Sequence, residues 1–231
     1  MRVSILGRDD KKIVLLKKIL SKYDMKFTTT DPDIVISYGG DGTFLVSERA
    51  YPGIPKLLLR DSKICNKCQD VPPIQALELI KSKKYHFETI FKLAARIPGR
   101  EDELLCTNDF VIRNIIPTHA VRFKLVFDNK PINNNKEFIG DGVVIATPFG
   151  SSAYYYSIAR KTFDKGIGIA FNNLHAIQPH LVLSEDSRIK IKITRGKAHF
   201  VADNDPTIYT LHEGETVYIK KSKHVTRIID F

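Results

Sequence analysis

Cysteine is scarce in this chain, and that scarcity is the first constraint: 231 residues contain only Cys65, Cys68 and Cys106. Three thiols cannot all pair internally, which excludes a disulfide-stapled secreted scaffold and fits a reducing compartment. Cys65-Asn66-Lys67-Cys68 has the C-x-x-C spacing of half a zinc site, yet no second pair follows, and the seven histidines form no ligand cluster along the sequence. A tetrahedral structural site needs two further ligands, and nothing thioredoxin-like surrounds the pair. It reads as two coincidental thiols, with a redox pair as the alternative, and no metal-ligating set is expected.

Long apolar runs are missing as well. The start, Met1 to Gly7, meets Arg8, Asp9 and Asp10 at once and is too short for the apolar core of an export signal. The longest uncharged stretch, 142–159, holds Pro148, several serines and three tyrosines, too polar to span a bilayer. The expectation is a cytoplasmic protein with no membrane partner.

Charge of one sign is in excess, with 36 Lys and Arg against 26 Asp and Glu, a formal +10. A basic surface attracts nucleic acid, anionic lipid or nucleotide phosphates. The lysines are scattered among acids, however, and the runs 81–84 and 220–223 read as solvated faces. Basic motifs interleaved with aromatics are absent, so no nucleic-acid partner is expected.

What is present is an alternation of strand and helix signals over the first third. Val3 to Leu6 reads as a strand. Ile13, Leu16, Leu20 and Tyr23 recur at helical spacing through 11–23, and Ile34 to Ser37 forms a buried strand. A helix over 43–50, a strand over 56–59 and a helix opened by Pro72-Pro73 complete a β-α-β-α-β order, which argues for a parallel sheet covered by helices. From about Tyr85 the period changes to two: 87–93, 121–127, 188–193 and 215–220 alternate apolar with polar residues, as half-exposed strands do. The fold class expected is an α/β N-terminal domain with a parallel sheet, over 1–85, and a C-terminal all-β, sandwich-like domain over 86–220. Residues 221–231 form a tail that returns to the first domain.

The sharpest chemical feature is Gly39-Gly40-Asp41-Gly42-Thr43, set between a strand and a helix. Its glycines let backbone N–H groups approach phosphate oxygens with no Cβ in the way. The helix that follows adds an N-terminal dipole that favours negative charge. Asp41 at the rim is placed to accept a hydroxyl proton or engage a phosphate-bound cation. Neither the G-K-S/T ending of a nucleoside-triphosphatase loop nor a G-x-G-x-x-G fingerprint is present. A second feature runs from Gly140-Asp141-Gly142 through Thr147-Pro148-Phe149-Gly150-Ser151-Ser152-Ala153-Tyr154. It reads as a strand, a turn and a helix over 153–159, with Ser151 or Ser152 placed to cap that helix.

Together the two segments resemble the NAD kinase family, which pairs a G-G-D-G-T loop with a later G-D-G-x-x-x-x-T-P-x-G-S-T-A-Y run. Asn108-Asp109 stands where the family has an Asn-Glu pair opening a strand, and the resemblance covers about 34–220 in order. It implies an NAD kinase-like fold and phosphorylation of NAD by ATP or polyphosphate at the 2′-hydroxyl of the adenosine ribose. Asp41 would orient or deprotonate that hydroxyl, while Gly39, Gly40, Gly42 and Thr43 would surround phosphates. Asn108 and Asp109 would hold the dinucleotide. Asp141 would contact the nucleotide, often across a subunit interface, and Thr147, Ser152, Ala153 and Tyr154 would line the nicotinamide or adenine pocket. Mg2+ would accompany ATP, and a homodimer or homotetramer is implied.

This sequence departs from the family pattern in places. Asp109 is one methylene shorter than Glu, Phe149 replaces a hydroxyl residue, and Ser152 replaces Thr. Asp203-Asn204 stands for Asp-Gly. The charged segment 60–68 replaces an Asn-x-Gly-x-Leu-Gly-Phe loop, leaving Arg60, Lys63 or Lys67 as phosphate ligands. Three alternatives compete. A lipid or diacylglycerol-type kinase shares the glycine loop, and Thr107 to Phe110 superficially echoes its second motif. A 6-phosphofructokinase has a similar loop in a longer chain. A non-catalytic dinucleotide sensor on the same fold would not need Asp41.

Overall fold

Residues 2–60 build a parallel sheet from short, mostly apolar strands. These are β1 (Arg2–Gly7), β2 (Lys26–Phe27), β3 (Ile34–Gly39) and β4 (Lys56–Arg60), in the order β2-β1-β3-β4 and all parallel. The helices are α1 (Asp10–Ile19), α2 (Asp41–Ala50) and α3 (Pro73–Lys81). Asp9 starts α1 by accepting the N–H groups of Lys11 and Lys12, a side-chain cap for otherwise orphaned donors. The 11–23 periodicity does not stay α-helical to its end: it tightens at Leu20 into a 3-10 turn and stops at Asp24, whose φ is +58°. Ile13 and Leu16 of α1 and Ala76, Leu77 and Ile80 of α3 bury against Val3, Ile5, Ile34, Ile36, Leu57 and Leu59. On α2, Glu48 pairs with the fully buried Lys56 of β4.

The computed structural model describes residues 1–231 as two compact units, one formed by 1–90 with 224–231 and the other by 91–223. The chain passes from the first unit to the second within β5 (His86–Arg96). The second unit then adds β6 (Leu104–Cys106), β7 (Asp109–Asn114), β8 (Val121–Phe127), β9 (Lys130–Pro131), β10 (Phe138–Gly140) and β11 (Gly142–Ala146). A 3-10 turn over Phe149–Ser152 and α4 (Tyr154–Ala159) precede β12 (Ile167–Asn172), β13 (Leu181–Leu183), β14 (Ile189–Arg195), β15 (Ala198–Ala202) and β16 (Tyr209–Leu211). The final strand, β17 (Thr216–Asp230), carries the chain back, so that Ile228 pairs in parallel with Lys56.

Within 91–223 the strands form two antiparallel layers. One runs β10-β8-β14 and onto the first part of β17. The other runs β13-β12-β11-β7-β15-β16. Alternation explains the pairing: Val121, Phe123 and Leu125 point inward with Ile189, Ile191 and Ile193, and meet Phe110, Ile112, Val143, Ile145 and Phe200 of the other layer in one core. This is a β sandwich with apolar inner faces, and the outer face of the first layer is polar, with Lys190 and Lys192 exposed. The outer face of the second layer is covered by α4, whose Tyr155 packs on Val111, Val144 and Ala170. No helix of the structure is long and apolar enough to cross a membrane.

Candidate functional site

In the first unit, β3 ends at Gly39 and Gly40 is the N-cap of α2, so Asp41 is the first helical residue. The turn is tight. Gly40 O accepts the N–H of Thr43 at 2.9 Å and of Phe44 at 3.2 Å. A Cβ on Gly39 would collide with the Thr43 side chain, which is why only glycine serves there. Thr43 Oγ1 is buried with no hydrogen-bond partner, and such a group is costly unless something bonds to it.

The segment after β4 folds over this loop. Asp61 N–H donates to Gly39 O at 2.9 Å, and Asp61 also pairs with Lys12. The Asp41 carboxylate accepts two backbone N–H groups, from Asn66 on Oδ2 and from Lys67 on Oδ1, each at 3.1 Å. Sγ of Cys65 lies 3.0 Å from the same Oδ1. Cys65 and Cys68 are joined as a disulfide, so they are not the coincidental thiols the sequence pointed to, and that sulfur has no proton to donate. Of the cations offered by 60–68, Arg60 donates to Cys65 O at 3.3 Å and Lys63 is exposed. The Lys67 ammonium is half-buried, and burial lowers its pKa against the attraction of Asp41.

In the second unit, Asn108 and Asp109 sit where the chain enters β7. Three consecutive N–H groups, of Thr107, Asn108 and Asp109, donate to the Asp203 carboxylate at 2.8, 2.7 and 3.1 Å. Thr147 closes the other side: its N–H donates to Asn108 O at 2.8 Å and its hydroxyl to Thr107 O. Gly150 then donates to Thr147 Oγ1 at 3.1 Å, and a Cβ at Gly150 would run into the Asn108 backbone. The result is a rigid knot that leaves Asn108 Oδ1 buried without a partner. Asp109 is 5% exposed, and burial together with the Asp203 charge raises its pKa to about 8. At neutral pH it is therefore largely protonated and a hydrogen-bond donor. Asp203 is raised to about 6, burial outweighing the three N–H bonds.

The structure gathers Asn108, Asp109 and Thr147 but not Asp141. In the ladder Ala146 faces Asp109 and Gly142 faces Arg113, so Asp141 lies at the far end of β11, roughly 17 Å from Asp109 at about 3.4 Å per residue. There its two oxygens accept from Asn114 Nδ2 and Asn173 Nδ2, at 3.2 and 3.0 Å. The Tyr154 hydroxyl reaches Asn172 at 3.2 Å, and Asn172 is the ladder partner of Gly142, so Tyr154 leans toward Asp141. Ser152 is partly buried and Ala153 exposed. Neither serine caps α4, whose N-cap is Ala153 with no side-chain bond, because the 3-10 turn intervenes. Sequence reasoning missed Asp203, noted only for the residue after it, and the closure of 65–67 on Asp41.

A two-layer β sandwich joined in sequence to a parallel α/β unit with a glycine-flanked aspartate defines the class, and solved structures show the same fold. An NAD kinase from Archaeoglobus fulgidus in complex with ATP superposes with a TM-score of 0.82 over 99% of this chain and 93% of that one, at 15% identity. Yeast NADH kinase complexed with NADH gives a TM-score of 0.88 over 100% and 83%, also at 15% identity. In sequence, the ATP-NAD kinase C-terminal domain matches residues 107–231, more than half of the chain. The NAD kinase of Sulfurisphaera tokodaii is 31% identical over 77% of this chain and 71% of its own length. That of Thermoplasma acidophilum is 27% identical over 93% and 79%. The chain belongs to the NAD kinase family, and it is an enzyme of the kinase class.

Proposed function

We propose that the protein phosphorylates the 2′-hydroxyl of the adenosine ribose of NAD, with ATP as donor, to give NADP and ADP. The observation that carries this reading is Asp41 itself: a carboxylate at the first residue of α2, between Gly40 and Gly42, held in one orientation by two N–H groups. Each of its oxygens accepts one of those bonds and keeps a further lone pair. Asp41 takes the proton of the ribose hydroxyl as that oxygen attacks the γ-phosphorus and the bond to the β-phosphate oxygen breaks. The turn at Gly39–Thr43 and the start of α2 bind phosphate. Asn108 and Asp109 recognise the dinucleotide, Asp109 as a donor in its protonated form, with Thr147, Ser152, Ala153 and Tyr154 beside the bases. Asp141, distant from that cluster, serves a dinucleotide bound by a neighbouring copy in a dimer or tetramer.

Mg2+ keeps mostly phosphate and water oxygens as ligands and needs only one or two carboxylates. The Asp41 oxygens fit that demand. Bound with ATP, the ion neutralises phosphate charge.

The test is incubation of the protein with NAD and Mg-ATP, with NADP measured by an NADP-specific dehydrogenase, then the same with polyphosphate and with NADH. Product with NAD and ATP supports the reading. No product from any pair, with NAD still bound, replaces it with a dinucleotide sensor.

A further inference from the structure

Beside Asp41 lie two cysteines that have no part in that chemistry. Sγ of Cys65, Sγ of Cys68 and a carboxylate oxygen of Asp41 all lie within 4.8 Å of one another. Sequence spacing offered only the two cysteines; the fold brings the third ligand from 24 residues earlier. The segment is shaped around this meeting. Cys68 N–H points at Cys65 Sγ at 3.1 Å, a bond that strengthens when the acceptor carries charge, as a thiolate does. The two residues between the cysteines, Asn66 and Lys67, donate to Asp41 and hold its oxygens toward the sulfurs. Arg60, bonded to Cys65 O, and the half-buried Lys67 place positive charge nearby, which favours thiolates.

Two thiolates and one carboxylate form a soft-to-borderline donor set. It suits Zn2+ with a fourth position left to water, and it is unsuited to Mg2+, which takes oxygen ligands. We propose that in the dithiol form Cys65, Cys68 and Asp41 bind one zinc-class divalent cation, and that this ion withdraws Asp41 from phosphoryl transfer. Reduction of the disulfide by two equivalents of a small thiol yields the two cysteine thiols and one small-molecule disulfide. Metal binding then releases both thiol protons to solvent. The site stands on geometry alone; the inhibition rests on the reading of Asp41 as the base.

The test uses whole protein, reduced with a phosphine, desalted without oxygen and titrated with Co2+ as an absorbing probe. The expected result is saturation at one equivalent, with a sulfur-to-cobalt charge-transfer band that Zn2+ abolishes. Cys65→Ser and Cys68→Ser each lose the band, and Cys106→Ser keeps it. Asp41→Asn keeps a sulfur band but binds about tenfold or more weakly. Unreduced wild type, which needs no substitution to fold, gives no band. Absence of the band in reduced wild type, or unchanged affinity in Asp41→Asn, overturns the site. The kinase reading is separated by assaying the same reduced protein, before any cobalt or zinc is added, with NAD and Mg-ATP for NADP. Product without a cobalt band sinks the metal site alone, and a cobalt band without product sinks the kinase reading alone. Zinc that binds but leaves NADP formation unchanged overturns the inhibition.

Discussion

The carboxylate of Asp203 accepts the backbone N–H of Asp109 at 3.1 Å, so two acidic residues 94 positions apart meet at the entrance to β7. The bond holds the Asp109 backbone while the Asp203 charge, added to burial, keeps a proton on the Asp109 side chain.

Stability should depend on pH with a definite sign. The pKa of Asp109 rises from 3.8 to about 8 on folding, so between those values the native state holds a proton that the unfolded state has lost. Stability therefore falls as pH rises through that window, by up to about 1.4 kcal/mol per pH unit from this group. Asp109→Asn, a neutral donor throughout, is expected to flatten the dependence of urea midpoints between about pH 5 and 7 while leaving the KM for NAD within a few-fold. Parallel curves for the two proteins would contradict the assignment.

Gly150→Ala places a methyl group on the Asn108 backbone. Overpacking of this kind costs about 1–3 kcal/mol and displaces Asn108 from Thr147. A lower Tm together with a raised KM for NAD is expected. A lower Tm with unchanged KM would mean that Asn108 has no role in recognition.

The Lys56–Glu48 pair is buried, with side chains 0% and 4% exposed. Lys56→Met alone leaves a carboxylate uncompensated and is expected to destabilise by about 3–5 kcal/mol. The double variant Lys56→Met, Glu48→Leu should recover most of that loss, measured by urea unfolding. A double variant no more stable than the single one would show that the pair is valued for packing rather than charge.

Most strands were legible because their period survives in isolation: Val121 to Phe127 alternates and becomes β8 over those same residues. The glycine loop was legible for a local reason too, since Gly39, Gly40 and Gly42 lie within four positions. What escaped depends on long-range meetings. Asp203 is 94 to 96 positions from the N–H groups it binds, and nothing near it in sequence marks that role. Cys65 and Cys68 looked incidental because their third neighbour, Asp41, arrives through the β3–β4 pairing. The helix read to Tyr23 ends its α-helical part at Ile19, where the turn tightens toward Asp24, a change that apolar spacing does not record.

The role of Asp41 as base is tested most directly by comparing kcat for NADP formation with Mg-ATP in Asp41→Asn and wild type, both reduced and freed of zinc-class metal. Asparagine keeps the size, and its one carbonyl oxygen can still accept from Asn66 or from Lys67, but it cannot take a proton. A fall in kcat of about 10²–10⁴-fold, with the KM for NAD little changed, is the expected result. Wild-type kcat in the variant would contradict the account.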